Sequence, residues 1–215
     1  MIKIPKIIHF IWVGTKPFPF DKNIKIWKSY HLDWKFNLWT DSNIPLLYNQ
    51  DIYNKVPIEA IKADILRIEL LYNYGGIYID VDSWCLKSIN PLIDNLTLFS
   101  STTRGKSRRV NNGFLGSVIN HPAYYEAVYS LPVYWENLQK QMKQFPIYCF
   151  GGTQYLHNIL TKYNDFVQID KNKKEERGRF ICSSVASTNE TYIVQNYAGT
   201  WKKKMLPGKK WKVIK

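Results

Sequence analysis

Asp80-Val81-Asp82 sets two carboxylates one residue apart, directly after the apolar run Ile77-Tyr78-Ile79. In an extended segment residues i and i+2 face the same way, so both acids would point into one space. Two anions so close are costly without a cation between them. Carboxylate oxygens suit a hard divalent ion that keeps part of its shell for phosphate oxygens. The chemistry this implies is Lewis-acid stabilisation of a departing diphosphate. A bare Asp-x-Asp triplet is common in surface turns, but such turns seldom follow Gly-Gly-Ile-Tyr-Ile.

Asp64 and Arg67 stand three residues apart on the preceding segment, hence on one face if that segment is helical. An arginine buried among apolar neighbours needs a partner. One reading is an ion pair within the helix. The other turns both side chains toward a cleft, with Asp64 accepting from sugar hydroxyls and Arg67 touching sugar or phosphate. His9 reads as a packed strand residue, His121 as part of a turn and His157 as core or acceptor-facing. Trp27, Trp34, Trp39 and Trp135 read as packing residues. No Ser/His/Asp triad or phosphate-cradling glycine loop stands out.

The elements that must position these groups follow from periodicity. Lys6–Val13 is a continuous apolar run ended by Gly14, as in a buried parallel strand. Residues 22–31 suggest a short helix, and Trp34–Trp39 a second strand ended by the turn Thr40-Asp41-Ser42-Asn43. From Pro57 to Tyr74, Ile58, Ile61, Ile65, Ile68 and Tyr72 recur at helical spacing, and Gly75 stands where a left-handed cap belongs. Further strands are predicted at Ile77–Val81, Leu96–Ser101, Gly113–Ile119, Phe166–Ile169 and Tyr192–Tyr197. Helices are predicted at Pro122–Leu131, Tyr134–Lys143 and from Thr153, as N-cap, to Tyr163. Strands alternating with helices imply an α/β domain with a mostly parallel sheet. Ligands bind off the carboxyl ends of such strands, where Gly14, Asp41–Asn43 and Asp80–Asp82 fall.

With 215 residues, 45% of them apolar, the chain can bury one substantial core. Its three cysteines, widely spaced, fit neither a disulfide framework nor a zinc site, which implies a reducing cytosol. No stretch approaches the roughly 20 apolar residues of a membrane span. The formal charge of +13 is clustered: residues 202–215 hold seven lysines and no acid. Arg104, Lys106, Arg108 and Arg109 form a second group, and Lys171 to Arg179 a third. Such clusters attract polyanions. Lysines interleaved with Trp201 and Trp211 suit an anionic membrane surface. A metal-dependent nucleic-acid enzyme is an alternative on charge grounds, but the further acids of a two-metal site and a nucleic-acid motif are missing.

At these residues the sequence resembles the family 32 glycosyltransferases, which carry an Asp-x-Asp sugar signature. That family includes surface-polysaccharide transferases and fungal mannosyltransferases, and it is related to the glucosyltransferase domain of the large clostridial toxins. Ile7–Gly14, Asn37–Asn43, Ala63–Arg67 with Gly75–Asp82, and Ala198-Gly199-Thr200-Trp201 carry the likeness. The resemblance implies a GT-A fold, a Rossmann-like, mostly parallel sheet flanked by helices in a single domain. That domain would span residues 1–201, with 202–215 as a basic aromatic tail. The implied activity is a retaining transfer of a hexose, galactose or glucose favoured, from a UDP-sugar, with Mn²⁺ or Mg²⁺. A GDP-mannose-dependent mannosyltransferase is the alternative.

By position, the resemblance puts Trp12 on the base with Ile11 beside it and Asn43 near the nucleotide. Asp64 and Arg67 would hold the donor sugar, with Asn111 and Asn112 near it, and Tyr78 would contact sugar or diphosphate. Asp80 and Asp82 would serve metal and ribose, and Thr200 and Trp201 would clasp the diphosphate. Where relatives carry a His or Glu before the closing Trp, this chain has Gln195-Asn196. Either side-chain carbonyl could bind a hard metal, more weakly than a carboxylate, and Asn196 is the expected third ligand. The expected acceptor is a saccharide or a polyprenyl-diphosphate-linked glycan, with no nucleic-acid partner. The expected location is cytoplasmic, peripheral at the inner face of the cell membrane.

Overall fold

The computed structural model describes residues 2–103, 109–141, 152–170, 181–182 and 190–195. The chain runs β1 (Ile7–Ile11), α1 (Asp21–Tyr30), β2 (Lys35–Trp39), α2 (Gln50–Lys55), α3 (Glu59–Tyr74) and β3 (Gly76–Ile79). It continues through β4 (Ser83–Cys85), α4 (Asn90–Ile93), β5 (Leu98–Thr102), β6 (Val110–Ser117) and α5 (Pro122–Gln141). It ends in α6 (Thr153–Leu160), β7 (Phe166–Ile169), β8 (Ile181–Cys182) and β9 (Ile193–Gln195). The main sheet has the order β2-β1-β3-β6-β5-β7. Its neighbours are parallel except where β6 pairs antiparallel with β3 and with β5. A small second sheet, β4-β9-β8, stands beside it.

Alternation along the strands sorts the core into two layers. Tyr78, Leu98 and Leu115 face α3, α5 and α6, packing with Ile61, Ile65, Tyr124 and Leu156. Ile77, Ile79, Phe99 and Phe114 face the other way, against Trp27 of α1, Cys85 and Ile193. Helices thus cover one face, and α1 with the small sheet covers the other. Buried on both faces, the strands read as the apolar runs seen in the sequence. His9 sits in this frame as the sequence implies. Its Nδ1 accepts from the Trp39 indole at 3.0 Å, so its Nε2 carries the proton and donates to Gly75 O at 2.9 Å. Burial holds the ring's pKa down, to about 4.

Several elements depart from expectation. The two predicted helices after Pro122 are one, α5, with Pro132 inside it. Proline there leaves the Val128 carbonyl without its helical donor. Asn49 Nδ2 donates to that carbonyl at 3.0 Å. Asn49 is itself gripped by the buried Glu69, whose Oε1 accepts from its backbone N–H at 2.8 Å and its side chain at 2.9 Å. A residue just before α2 thus ties α3 to α5 and makes the uninterrupted helix tolerable. Thr153 is the first residue of α6, and Gly152 occupies the cap position with no side-chain hydrogen bond. Gly75 has positive φ, as expected, but its ψ of −154° lies outside the left-handed helical well. Glycine is doubly required there, because a Cβ would stand 2.7 Å from Ile119 N. The short elements α2, β4 and α4 are absent from the sequence reading.

Candidate functional site

β3 ends at Ile79, and the chain turns at once: Ser83 N–H donates to Asp80 O at 3.0 Å. Asp80-Val81-Asp82 is therefore a turn, not the extended segment expected, and strand alternation does not set where its acids point. The turn is pinned from behind by α1. Asn23 Nδ2 donates to Val81 O and the Trp27 indole to Ser83 O, each at 3.0 Å. Trp27, expected only to pack, also holds the turn. Asp80 N–H donates to Gly113 O at 3.0 Å, which ties the turn to the start of β6. Both acids are half-buried.

Arg67 joins the helix pair to this turn. Its Nη2 lies 3.1 Å from Asp64 Oδ1, and its Nη1 lies 3.8 Å from Asp80 Oδ1. The ion pair within α3 is present, and Arg67 also reaches the acidic turn. Arg67 also donates to Ala63 O and Asn112 O, and its guanidinium stands 4.3 Å from the Tyr78 ring centroid. Tyr78 in turn donates its hydroxyl to Asp80 Oδ1 at 2.8 Å. Burial works against the Arg67 charge, but Tyr78, Asp64 and Asp80 outweigh it and hold its pKa above the usual arginine value. For Asp64 burial wins: it overcomes the attraction of Arg67, and the carboxyl is pushed up to about 7. Asp64 is thus poised to hold or release a proton near neutrality. Burial also holds the Tyr78 phenol well above its ordinary value, so it stays a donor.

The start of β6 brings in the amides. Asn112 Nδ2 donates to Asp64 Oδ1 at 2.9 Å. Asn111 Nδ2 donates to Gln195 Oε1 at 2.8 Å. The Gln195 side-chain carbonyl, offered by the sequence with that of Asn196 as a possible metal ligand, is thus engaged by Asn111. Antiparallel pairing of β4 with β9 sets Ser83 opposite Gln195, which delivers it beside the turn. Asn196, the expected metal ligand, and Thr200 and Trp201 lie outside the described residues, as does the tail 202–215.

The nucleotide-side residues are placed differently. Trp12 is half-buried at the end of β1, donates its indole N–H to Lys16 O at 2.8 Å, and meets Phe18 and Phe20 edge-on. Ile11 is buried in the core. Asn43 is engaged within its own turn: its Oδ1 accepts from Thr40 N–H at 2.7 Å and its Nδ2 donates to Leu38 O at 3.0 Å. It closes the turn after β2. Asp41, placed by the sequence at the same strand end as Gly14, accepts from Gly14 N–H at 2.7 Å and joins the ends of β1 and β2.

Among the described residues no group of three or more His, Cys, Asp or Glu side chains forms a metal cage. Asp80 and Asp82 instead bring two half-buried carboxylates to one turn. That suits a hard ion completing its shell with phosphate oxygens and water. His121 belongs elsewhere: its Nδ1 accepts from Ala123 N–H at 3.0 Å at the start of α5, and its Nε2 bonds Asp165 at 2.9 Å.

A mixed, mostly parallel sheet covered on both faces, with an acidic turn at the carboxyl end of β3, is the GT-A glycosyltransferase fold. The chain superposes on the glycosyltransferase PaToxG with a TM-score of 0.59 at 21% identity, over 74% of this chain and 69% of that one. The catalytic domain of alpha-toxin from Clostridium novyi gives 0.52 at 13%, over 80% and 66%. At these identities the likeness concerns the fold. In sequence, residues 17–99 match the family described as "Glycosyltransferase sugar-binding region containing DXD motif". The chain is 28% identical over 173 residues to inositol phosphoceramide mannosyltransferase 1 of Schizosaccharomyces pombe, covering 76% of this chain and 53% of that protein. It is 33% identical over 146 residues to the mannosyl phosphorylinositol ceramide synthase SUR1 of Saccharomyces cerevisiae, covering 61% and 35%. The chain thus spans about half or less of these relatives' length.

Proposed function

We propose that this chain is a metal-dependent glycosyltransferase that moves a hexose from a nucleoside-diphosphate sugar to a hydroxyl acceptor. The observation that carries the reading is the link through Arg67, which joins the Asp80 turn to the Asp64–Asn112 pair. Asp80 and Asp82 would hold the ion. When bound, such an ion stabilises the negative charge of the departing diphosphate. Asp64 and Asn112 present an acceptor and an amide where the sugar ring would lie. Arg67 supplies a fixed positive charge between sugar and diphosphate, and its own bonds keep it from swinging away. Asp64 is already engaged by Arg67 and Asn112, which argues against a covalent nucleophile, so a retaining transfer, as the resemblance implies, would proceed by same-face attack.

The named relatives favour mannose, hence GDP-mannose, over the UDP-hexose expected from sequence. They also favour a polar lipid headgroup over a soluble glycan as acceptor. Among the described residues no helix is long and apolar enough to cross a membrane. A peripheral contact through the lysine- and tryptophan-bearing tail is the corresponding proposal for location. The test is donor hydrolysis with Mn²⁺ across GDP-mannose, UDP-galactose, UDP-glucose and their N-acetylated forms. Hydrolysis of one donor, reduced at least about 100-fold in Asp82→Asn, is the expected result. Undiminished turnover in that variant overturns the assignment.

A further inference from the structure

The side-chain amide of Gln195 has an orientation that the chain itself dictates. The Gly113 backbone N–H can only donate, and it lies 3.0 Å from Asn111 Oδ1, so that atom is the amide oxygen. The other end of Asn111 is therefore its NH₂, and it donates to Gln195 at 2.8 Å. The receiving atom must be the Gln195 oxygen. The Gln195 NH₂ is then the end left to face the acidic turn. It does so closely: a Cβ on residue 113 would collide with both Gln195 Nε2 and Asp80 Oδ2, so the two atoms flank one small space. Gln195 and Asn111 are both buried, whereas the Asp80 side chain is 36% exposed.

We propose that Gln195 is a positioning residue that acts on the Asp80 carboxylate through its NH₂, held by a relay from Gly113 N–H through Asn111. It is not an oxygen ligand of the ion. Asp80 Oδ1 is already fixed by Tyr78 and Arg67, and Gln195 attends to Oδ2. The carboxylate is thereby set in one rotamer before any ion or donor arrives. Partners of this outer kind orient metal ligands, and losing them typically lowers metal affinity about 10- to 100-fold. The inference rests on the metal-dependent reading for its consequence, but the relay itself is a property of the metal-free protein.

Both parts are measurable on the full chain. Mn²⁺ alone is titrated by the loss of its free paramagnetic signal, with melting temperature recorded in parallel. Gln195→Met, which keeps the side chain's length, should lower the melting temperature modestly by leaving the Asn111 amide unpaired, and the still-folded protein should bind Mn²⁺ about tenfold more weakly. Asn111→Ala should lose a similar factor, and the double variant no more than either alone, because both act along one chain. Tighter or unchanged binding in Asn111→Ala beside weakened binding in Gln195→Met would make the Gln195 oxygen a direct ligand and overturn the proposal. Multiplying losses would overturn the relay. Hydrogen exchange of the Gln195 NH₂, followed by ¹⁵N NMR without metal, provides the independent readout. Slow exchange that accelerates in Asn111→Ala is expected; exchange at the solvent rate in the native protein overturns the relay. If Asp80→Asn binds Mn²⁺ as the native chain does, the metal assignment fails, and the exchange data still decide the relay.

Discussion

Arg67→Met removes a charge while keeping an unbranched side chain, so it isolates what the guanidinium does. Without it, Asp64 and Asp80 lose their cation and the Asn112 carbonyl loses a donor. Breaking a buried pair from one side costs about 3–5 kcal/mol when the stranded charge cannot be discharged. Asp64 can discharge, because its carboxyl already sits at about 7, above the ordinary 3.8. An acid raised in the folded state binds its proton more tightly there than when unfolded. Its contribution is therefore full below the unfolded value and is lost as pH rises toward the folded one. In Arg67→Met the attraction holding Asp64 down is gone, so its folded pKa climbs further. The native protein's loss levels off above about pH 7, while the variant's continues. Near pH 6 the variant should be less stable by about 2 kcal/mol, from the unpaired Asn112 carbonyl and the lost contact with Tyr78. Above pH 7 the gap should widen by about 1.4 kcal/mol per pH unit. Urea unfolding of both proteins at about pH 6, 7 and 8 reads this directly. A constant gap across that range would refute the claim that Arg67 controls the ionisation of Asp64.

Three further outcomes follow from buried groups. His9, held at about 4 against an ordinary 6.5, resists protonation when folded, so its contribution is lost as pH falls from 6.5 toward 4. That loss amounts to about 3 kcal/mol, opposite in sign to that of Asp64, and His9→Gln should remove it, giving a flatter acid limb in urea unfolding. The Tyr124 hydroxyl is fully buried with no hydrogen-bond partner among the described residues, so Tyr124→Phe should raise stability by about 1 kcal/mol, read as a higher melting temperature. Gly113→Ala and Gly116→Ala both place a methyl group in occupied space, the first against Gln195 and Asp80, the second against the Phe99 ring. Each should cost about 1–3 kcal/mol in thermal unfolding, but only the first should also weaken Mn²⁺ binding.

What was legible in the sequence was whatever one segment could declare alone. β1 and β3 are apolar runs between turn residues, β2 alternates before a turn, and α3 carries its period in Ile61, Ile65, Ile68 and Tyr72. The Asp64/Arg67 spacing placed both groups on one helical face, and the structure uses that face. What escaped depended on partners distant in sequence. Pro132 signals a break by every local rule, and only Asn49 of another element makes the unbroken helix tolerable. The extended reading of Asp80–Asp82 failed because strand alternation stops where Asn23 and Trp27 capture the carbonyls of the turn. Gln195 offered a candidate ligand oxygen in the sequence, but the pairing of β4 with β9 sets it beside Asp80 with that oxygen taken by Asn111, a partner 84 residues away.

Within the main sheet, β6 runs against both of its neighbours, and this determines where the chain can change length. Because β6 is antiparallel to β3, its beginning, not its end, lies beside Asp80, and Ser117 lies beside Gly76 at the opposite edge of the sheet. A lengthened connection before Val110 would enter at the mouth of the site and could reshape what it accepts. A lengthened connection around Asn120, whose N–H meets Tyr72 O, would emerge on the far side. The two ends of a single eight-residue strand therefore face different constraints: new specificity can be grafted at one, and a tag or fused domain can be carried at the other without crossing the substrate's path.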